Sequence, residues 1–398
     1  MSLPLLEGYR VLELTETPGG AFCAKLFADL GADVLKVEPR DGDPARRRGA
    51  FPRDIPDGNA SGLFLYLNAN KRSLTLDLAK PTASEIATRL ALAVDVVVED
   101  HTPGYLVARG LGFAELHAAN PALVIISLTP FGQTGPRAGW KATPLTVYHA
   151  GGHASHLSPA TPHRPPVTVG GLAGEYQAGI VAALAGLAAL FGREATGGQH
   201  VDVSKQEALV NLARSEHGRY PNEGVLVSRT NPDAPFVGGM LPCRDGWVEC
   251  VVMEEHQWDA LRTLLGEPAW TAQPAFSSQP ARLEHAGELH ERLAAETRTR
   301  SADELYERGQ ALGCPIGKVL SAPEILASGQ LRSRGFFTAV DDPAAGRLEY
   351  PSVPFAAAGE TRLEDRPAPR LGEHTAPVLA ELGYGDDDTA ALLGTGVV

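Results

Sequence analysis

The sequence predicts an α/β protein built around a parallel sheet, and three observations carry that prediction. A strand-like run, Arg10 to Leu14, is followed by a helically spaced segment, Gly20 to Leu30, and by a second strand, Val34 to Val37, after the turn Gly31-Ala32-Asp33. Such a β-α-β unit makes its two strands parallel, because the helix carries the chain back to the end at which the first strand began. Further strand candidates recur at Ser73 to Leu78, Asp95 to Glu99 and Leu123 to Leu128, with the helical segment Ala83 to Ala93 in between. The third observation is length: 398 residues exceed one compact core and divide most naturally into two domains.

Along the chain, the first turn, Thr15-Glu16-Thr17-Pro18-Gly19-Gly20, lacks Gly-x-Gly-x-x-Gly, which argues against a nicotinamide dinucleotide, and Glu38 reads as a plain strand terminus. Leu172 to Arg193 reads as one long helix with small residues at Ala178, Gly179, Ala182, Ala183, Ala185 and Gly186, suited to close packing. A turn, a strand at His200 to Val203 and a helix from Ser204 through Ser215 follow. The pattern then changes. Val225 to Pro235 is polar and turn-rich; Trp247 to Met253 opens a second region with helices around Trp258 to Leu265 and Leu283 to Thr297, ending near Gly313-Cys314-Pro315. Pro323 to Gly329, Gly335 to Asp341 and Pro351 to Pro369 form a return path, and Ala376 to Leu382 is the last helix expected.

Composition excludes several classes. Apolar residues make up 43% and charged residues 21%, as in ordinary globular proteins. The net charge of −13 speaks against nucleic acid as a partner, since phosphate backbones are bound by broad basic surfaces. The apolar stretch Ile180 to Phe191 is about half of a bilayer span, and the N-terminus lacks the basic start and apolar core of a signal peptide, so no membrane partner and a cytoplasmic location are expected. Cys23, Cys243, Cys250 and Cys314 lack Cys-x-x-Cys spacing and read as free thiols. His149, His153, His156 and His163 cluster without a carboxylate at ligand spacing, and no metal is expected. An anionic ligand would need local basic residues, and these occur at Lys36, Arg40, Arg46-Arg47-Arg48 and Lys71-Arg72.

The chemistry-bearing position is Glu175, in Gly170-Gly171-Leu172-Ala173-Gly174-Glu175-Tyr176, directly before the apolar run of the long helix. A helix N-terminus favours a negative charge, while apolar surroundings withhold water, so the carboxylate is placed to act as nucleophile or base. Other segments carry a resemblance. They are Ala28 to Glu38 (ADLGADVLKVE), Asn68 to Asp77 (NANKRSLTLD), Phe131 to Pro136 (FGQTGP), Gly198 to Ser204 (GQHVDVS), Arg334 to Phe337 (RGFF) and Leu371 to Thr375 (LGEHT). In this order they resemble the class III (CaiB/BaiF) CoA-transferases, the family of formyl-CoA transferase, carnitine CoA-transferase and α-methylacyl-CoA racemase, over essentially the whole chain.

The resemblance implies a Rossmann-like large domain from residues 1–222 with a C-terminal part in 326–398, a smaller inserted α+β domain at 223–325, and an interlocked homodimer. It implies CoA transfer from an acyl-CoA to a small carboxylic acid, with Glu175 attacking the thioester to form an anhydride and then an enzyme-bound CoA thioester. The family's usual residue there is Asp. His153 stands near a racemase-branch base, which leaves an isomerase using His153 and Glu175 as one alternative. A CoA-binding protein with lost or altered catalysis is another. For CoA, the positions implied are Thr15, Glu16, Arg40, Lys71, Leu74, Asp100, His101 and Arg109; the family commonly has Asn where Asp100 stands and Arg where Ala108 stands. Gly238, Gly239 and Met240 fall where some members carry a Gly-rich loop that closes over the carboxylate. Val147, Tyr148, Leu157 and Met240 are apolar candidates for an acyl pocket.

Overall fold

A computed structural model of the chain describes residues 3–157, 163–212, 214–229, 237–357 and 365–398. The N-terminal part alternates strand and helix: β1 (Arg10–Leu14), α1 (Pro18–Asp29), β2 (Asp33–Glu38), α2 (Gly62–Asn68), β3 (Arg72–Thr75), α3 (Pro81–Leu92), β4 (Val96–Glu99), α4 (Phe113–Ala119) and β5 (Val124–Thr129). Then come α5 (Pro144–Ala150), α6 (Ala173–Thr196), β6 (His200–Ser204), α7 (Lys205–Leu212) and α8 (Arg214–Glu223). Strands β1 to β6 form one parallel sheet in the order β3-β2-β1-β4-β5-β6. The order reverses between β1 and β4, and in such sheets ligands bind in the crevice beyond the carboxyl ends of the strands at that point.

Strand patterning explains the two faces. On β1, Leu12 and Leu14 point to a core shared with Leu35, Leu74, Leu76, Ile86 and Leu90, whereas Val11 points to the opposite core with Phe27, Ile126, Ala178 and Ala182. The first core also takes in Val378, Leu379, Leu392, Val397 and Val398, so the C-terminal segment is part of the large unit. The small residues of α6 serve close approach. A Cβ at Gly179 would stand 2.6 Å from the Gly19 carbonyl oxygen of α1, and one at Gly186 would stand 2.2 Å from Ile126 Cδ1.

Helix α6 runs for 24 residues, longer than the apolar run suggested, and by length and composition it could cross a bilayer. It buries Glu175, Ala178, Gly179, Ala182, Ala183, Gly186 and Leu190 and leaves Ile180, Leu184 and Phe191 outward.

The chain divides into two compact units, residues 1–230 with 332–398, and residues 231–331. The smaller unit pairs β7 (Val237–Pro242), β8 (Trp247–Val252) and β9 (Ile316–Lys318), the last following four helices: α9 (Glu255–Leu265), α10 (Gln279–Glu284), α11 (Ala286–Thr297) and α12 (Ala302–Ala311). Its sheet is antiparallel, and its core gathers Leu241, Val248, Trp258, Leu264, Phe276, Leu293 and Leu305.

After α13 (Ala322–Ala327) and α14 (Gly329–Ser333), the return path contains an antiparallel hairpin of β10 (Phe337–Asp342) and β11 (Gly346–Pro351), then α15 (Thr375–Glu381) and α16 (Asp386–Gly394). Helix α16 therefore supersedes Ala376 to Leu382 as the last helix; its acidic first turn, Asp386-Asp387-Asp388, suits a helix N-terminus. Part of Val225 to Pro235 lies outside the described residues.

Candidate active site

Two clefts bear on the site, one at the carboxyl ends of β1 to β4 and one at the start of α6. The first, of about 350 Å³, is lined by Thr15 and Glu16 from that turn, Arg40 and Asp41 beyond β2, Asp77 beyond β3, and His101 and Tyr105 beyond β4. Of the eight positions that the resemblance implied for CoA, it brings Thr15, Glu16, Arg40 and His101 together here. His101 and Tyr105 stack with ring centroids 4.3 Å apart, and the Arg109 guanidinium lies 3.6 Å from the Tyr105 centroid on the same stack. Arg109 itself does not line this cleft. Its Nε donates to the Leu78 carbonyl and its Nη1 to the Tyr105 carbonyl, both at 2.9 Å, so it braces the loop that carries Tyr105. Together with Ala108 it borders a neighbouring groove along α3.

Lys71 and Leu74 also fall outside the cleft, for different reasons. Leu74 is core. Lys71 is buried; its Nζ lies 2.7 Å from Glu13 Oε2 and donates to Ala21 O and Asn68 Oδ1, which consumes its donors inside the fold. Burial pulls its pKa down to about 8 against the pull of Glu13. Burial also works against the charge on Glu13, but Lys36 and Lys71 outweigh it and hold the carboxyl below its ordinary range. Lys36 and Arg46 are spent in the same way, on Glu13 with Asp43 and on Glu38.

Asp100, one of the positions that the resemblance implied for CoA, turns inward to the β1–α1 turn. Its carboxylate accepts from Glu16 N at 2.9 Å, Thr17 N at 2.8 Å and Thr17 Oγ1 at 2.5 Å. It thereby satisfies amides at the start of α1, whose N-cap Thr17 makes no side-chain cap of its own. Burial raises its pKa, with Lys205 and these hydrogen bonds opposing.

The second cleft, of about 280 Å³, contains Glu175 with Arg48, Thr143, Leu145, Tyr148, Thr168 and Val169 among its walls. Glu175 is the third residue of α6 and only 4% exposed. Its carboxylate does not cap its own helix. Oε2 accepts from Gly19 N at 3.0 Å and from Lys205 Nζ at 2.7 Å. Lys205 Nζ also donates to Thr17 Oγ1 at 3.0 Å, so a chain of hydrogen bonds runs Glu175, Lys205, Thr17, Asp100. Oε1 accepts no hydrogen bond from the described residues, and the residue itself forms part of the cleft wall. Gly19 is required by contact: a Cβ there would lie 2.8 Å from Glu175 Oε2. The site therefore offers one fixed and one free carboxylate oxygen, the arrangement a nucleophile needs.

His153 does not join this wall. Its ring packs edge-on against Tyr148, centroids 5.7 Å apart, and against His156 at 4.9 Å, and it is not among the residues that line the cleft. Val147 is core beside Tyr148. Among the described residues, no group of three or more His, Cys, Asp or Glu side chains is placed to hold a metal ion.

Gly238, Gly239 and Met240 form strand in the small unit, not a loop. Gly238 and Gly239 pair with Val251 and Cys250, and a Cβ at Gly238 would stand 2.1 Å from the Cys250 carbonyl oxygen. Both glycines have positive φ, 119° and 85°, so the pair is used to bring two strands close in a kinked edge. Pro235 and Phe236, the rest of that expected loop, lie outside the described residues.

Sequence reading missed Lys205 and Gly19. Lys205 sits directly after the Gly198 to Ser204 segment, 30 positions from Glu175, and only the placement of β6 at the sheet edge beside α6 brings it to the carboxylate.

Comparison with known proteins matches residues 6–375 to the model of CoA-transferase family III. Succinyl-CoA--D-citramalate CoA-transferase of Chloroflexus aurantiacus is 34% identical over 402 residues, covering 99% of this chain and 98% of that protein. Formyl-CoA:oxalate CoA-transferase of Escherichia coli is 32% identical over 422 residues, covering 98% and 99%. A crystal structure of a CaiB/BaiF family protein from Brucella suis superposes with a TM-score of 0.84 at 27% identity, covering 96% of this chain and 100% of that one.

Proposed function

The chain belongs to CoA-transferase family III, an enzyme family acting on acyl-CoA, and from that premise we propose that Glu175 carries CoA covalently between a donor thioester and an acceptor acid. The observation that carries the reading is the asymmetry of its carboxylate: Oε2 is held by Gly19 and Lys205, and Oε1, in a residue of the cleft wall, accepts no hydrogen bond from the described residues. The extra methylene that distinguishes Glu from the family's usual Asp is accommodated by this reach to the start of α1.

In the first step Oε1 attacks the thioester carbonyl, the C–S bond breaks and CoA leaves as thiolate, giving a mixed anhydride. The thiolate then attacks the Glu175 carbonyl carbon of the anhydride and expels the donor acid as carboxylate, leaving Glu175 as a CoA thioester. The acceptor carboxylate attacks that thioester, CoA thiolate leaves again, and its attack on the acceptor side of the new anhydride yields acceptor-CoA and regenerates the Glu175 carboxylate. No proton is gained or lost over the cycle, which agrees with a site that holds a cation, Lys205, rather than a general base on the carboxylate. The first cleft is the place we assign to the nucleotide end of CoA, with Arg40 for phosphate and the His101–Tyr105 stack beside the base. The β1–α1 turn then leads the thiol arm toward Glu175.

The test is acyl-CoA exchange with purified enzyme over a panel of acids. Glu175→Ala is expected to lower kcat at least about a thousandfold while remaining folded. A variant that retains activity within tenfold of wild type would contradict the assignment.

A further inference from the structure

The basic residues between Lys36 and Arg72 sort into two groups. Lys36, Arg46, Arg47, Lys71 and Arg72 each hold a carboxylate of the protein itself, on Glu13 and Asp43, Glu38, Asp41, Glu13, and Asp33 with Glu381 respectively. Arg40, Arg48 and Arg53 hold none among the described residues, and Arg53 lines neither cleft. Arg40 lines the first cleft, and Arg48 lines the second, on the same wall system as Glu175.

Arg48 is not needed as a counter-ion for the nucleophile. Glu175 already has Lys205 at 2.7 Å, and Arg48 and Glu175 are the only charged side chains lining that cleft among the described residues. The main chain at Arg48 is fixed: its amide donates to Ala45 O at 3.0 Å and its carbonyl accepts from Ser61 Oγ at 2.5 Å. A planar, permanently charged fork thus extends from a pinned main chain, in a cleft whose other walls include Leu145, Tyr148 and Val169. Its natural complement is a carboxylate, which a guanidinium binds through two parallel hydrogen bonds.

We infer that the acid handled at this site carries a second carboxylate and that Arg48 receives it. This deepens the transfer reading and rests on it: the reacting carboxyl sits at Glu175 and the distal one at Arg48, so the substrate class is a short dicarboxylate. A cleft of about 280 Å³ suits an acid of that size. An acid with an apolar tail of equal length leaves Arg48 facing that tail without a partner, and a site built to pair a polar group rejects the analogue that lacks it.

The experiment compares succinyl-CoA with butyryl-CoA as donors, and succinate with butyrate as free ligands, for wild type, Arg48→Leu and Arg48→Lys, with thermal unfolding to establish that each variant is folded. Wild type is expected to favour succinyl-CoA in kcat/KM by about ten- to a hundredfold, less than a fully buried polar site would give because Arg48 is solvent-accessible. The ratio is expected to collapse toward one in Arg48→Leu and to survive in part in Arg48→Lys. A wild-type ratio near one, or a ratio that Arg48→Leu leaves unmoved, overturns the inference while leaving CoA transfer standing. Calorimetry of the free acids separates the two readings. Arg48-dependent binding of succinate with no exchange of any donor sinks transfer and keeps the anchor, and absence of both sinks both.

Discussion

Glu175 and Lys205 are buried to the same degree, 4% exposed side chains 2.7 Å apart, and each is costly alone. Removing one partner of such a pair leaves the other charge uncompensated, which destabilises more than the pair ever stabilised. Lys205→Met is therefore expected to lower kcat about 10- to 100-fold at neutral pH with little change in KM, and Lys205→Arg to restore part of the loss. A merely structural lysine would lower the amount of folded enzyme and leave kcat per folded molecule unchanged, and that outcome would remove the lysine from the site's electrostatics. Gly19 acts on the same carboxylate by space: with only 2.8 Å available, even a methyl group forces Oε2 aside.

At the scale of elements, the first β-α turn lines the first cleft through Thr15 and Glu16, the start of α1 meets the Glu175 carboxylate through Gly19 N, and the neighbouring β4 sets the turn's shape. Glu99, the last residue of β4, accepts from His101 N at 2.8 Å, and burial pushes its carboxyl up to about 7, with the Ser127 hydroxyl and His101 amide opposing. A carboxyl with a folded pKa above its unfolded value keeps its proton in the native state between about pH 4.5 and 7 while the unfolded chain has lost it. Stability from this group is therefore fully present below the unfolded value and lost as pH rises toward 7. Glu99→Gln preserves an acceptor for His101 N and removes the titration. Relative to wild type, its stability is expected to rise between pH 5 and pH 8 by on the order of 2 kcal/mol, measured by denaturant unfolding at both values. A difference that does not change with pH would show that Glu99 is ionised at no cost.

Elements with a strong local period were readable in the sequence. β1 matches its predicted span, β4 differs by a residue at one end and β2 by a residue at each end, and the helix bearing Glu175 was placed within a residue of its start. What escaped was tertiary. Nothing local separates Arg40, left free in a cleft, from Lys71, three donors deep in a buried carboxylate network; only the packing of α1 and α2 against the sheet decides it. The two glycines of β7 looked like a loop because sequence shows their conformational freedom and not the strand they lie against. The hairpin of β10 and β11 was missed as strand because it runs into the Pro-rich stretch from Pro351 and pairs only with itself.

For the molecule as a whole, the outer face of α6 is the unexplained surface. Leu184 is 68% and Phe191 93% exposed, with Ile180 one turn before Leu184, so an apolar stripe runs along a helix whose inner face packs on α1 and β5. Contiguous exposed apolar surface of this kind marks a contact with another chain, a membrane or a ligand. We propose that a second copy of the chain covers it. Light scattering coupled to size exclusion is expected to give about twice the 42.0 kDa of one chain, and Leu184→Glu with Phe191→Glu to shift the population toward monomer. Wild type eluting at a single chain's mass at micromolar concentration would refute the assembly.

The central claim is that an oxygen of Glu175 enters and leaves the substrates in each cycle. In the proposed sequence the acceptor acid delivers one of its carboxylate oxygens to Glu175 as the last anhydride breaks. Turnover with acceptor acid labelled with heavy oxygen, followed by proteolysis and mass measurement of the peptide containing Glu175, is predicted to find one labelled oxygen in that side chain. Product acyl-CoA formed at the normal rate with no label in Glu175 would contradict the covalent role assigned to it.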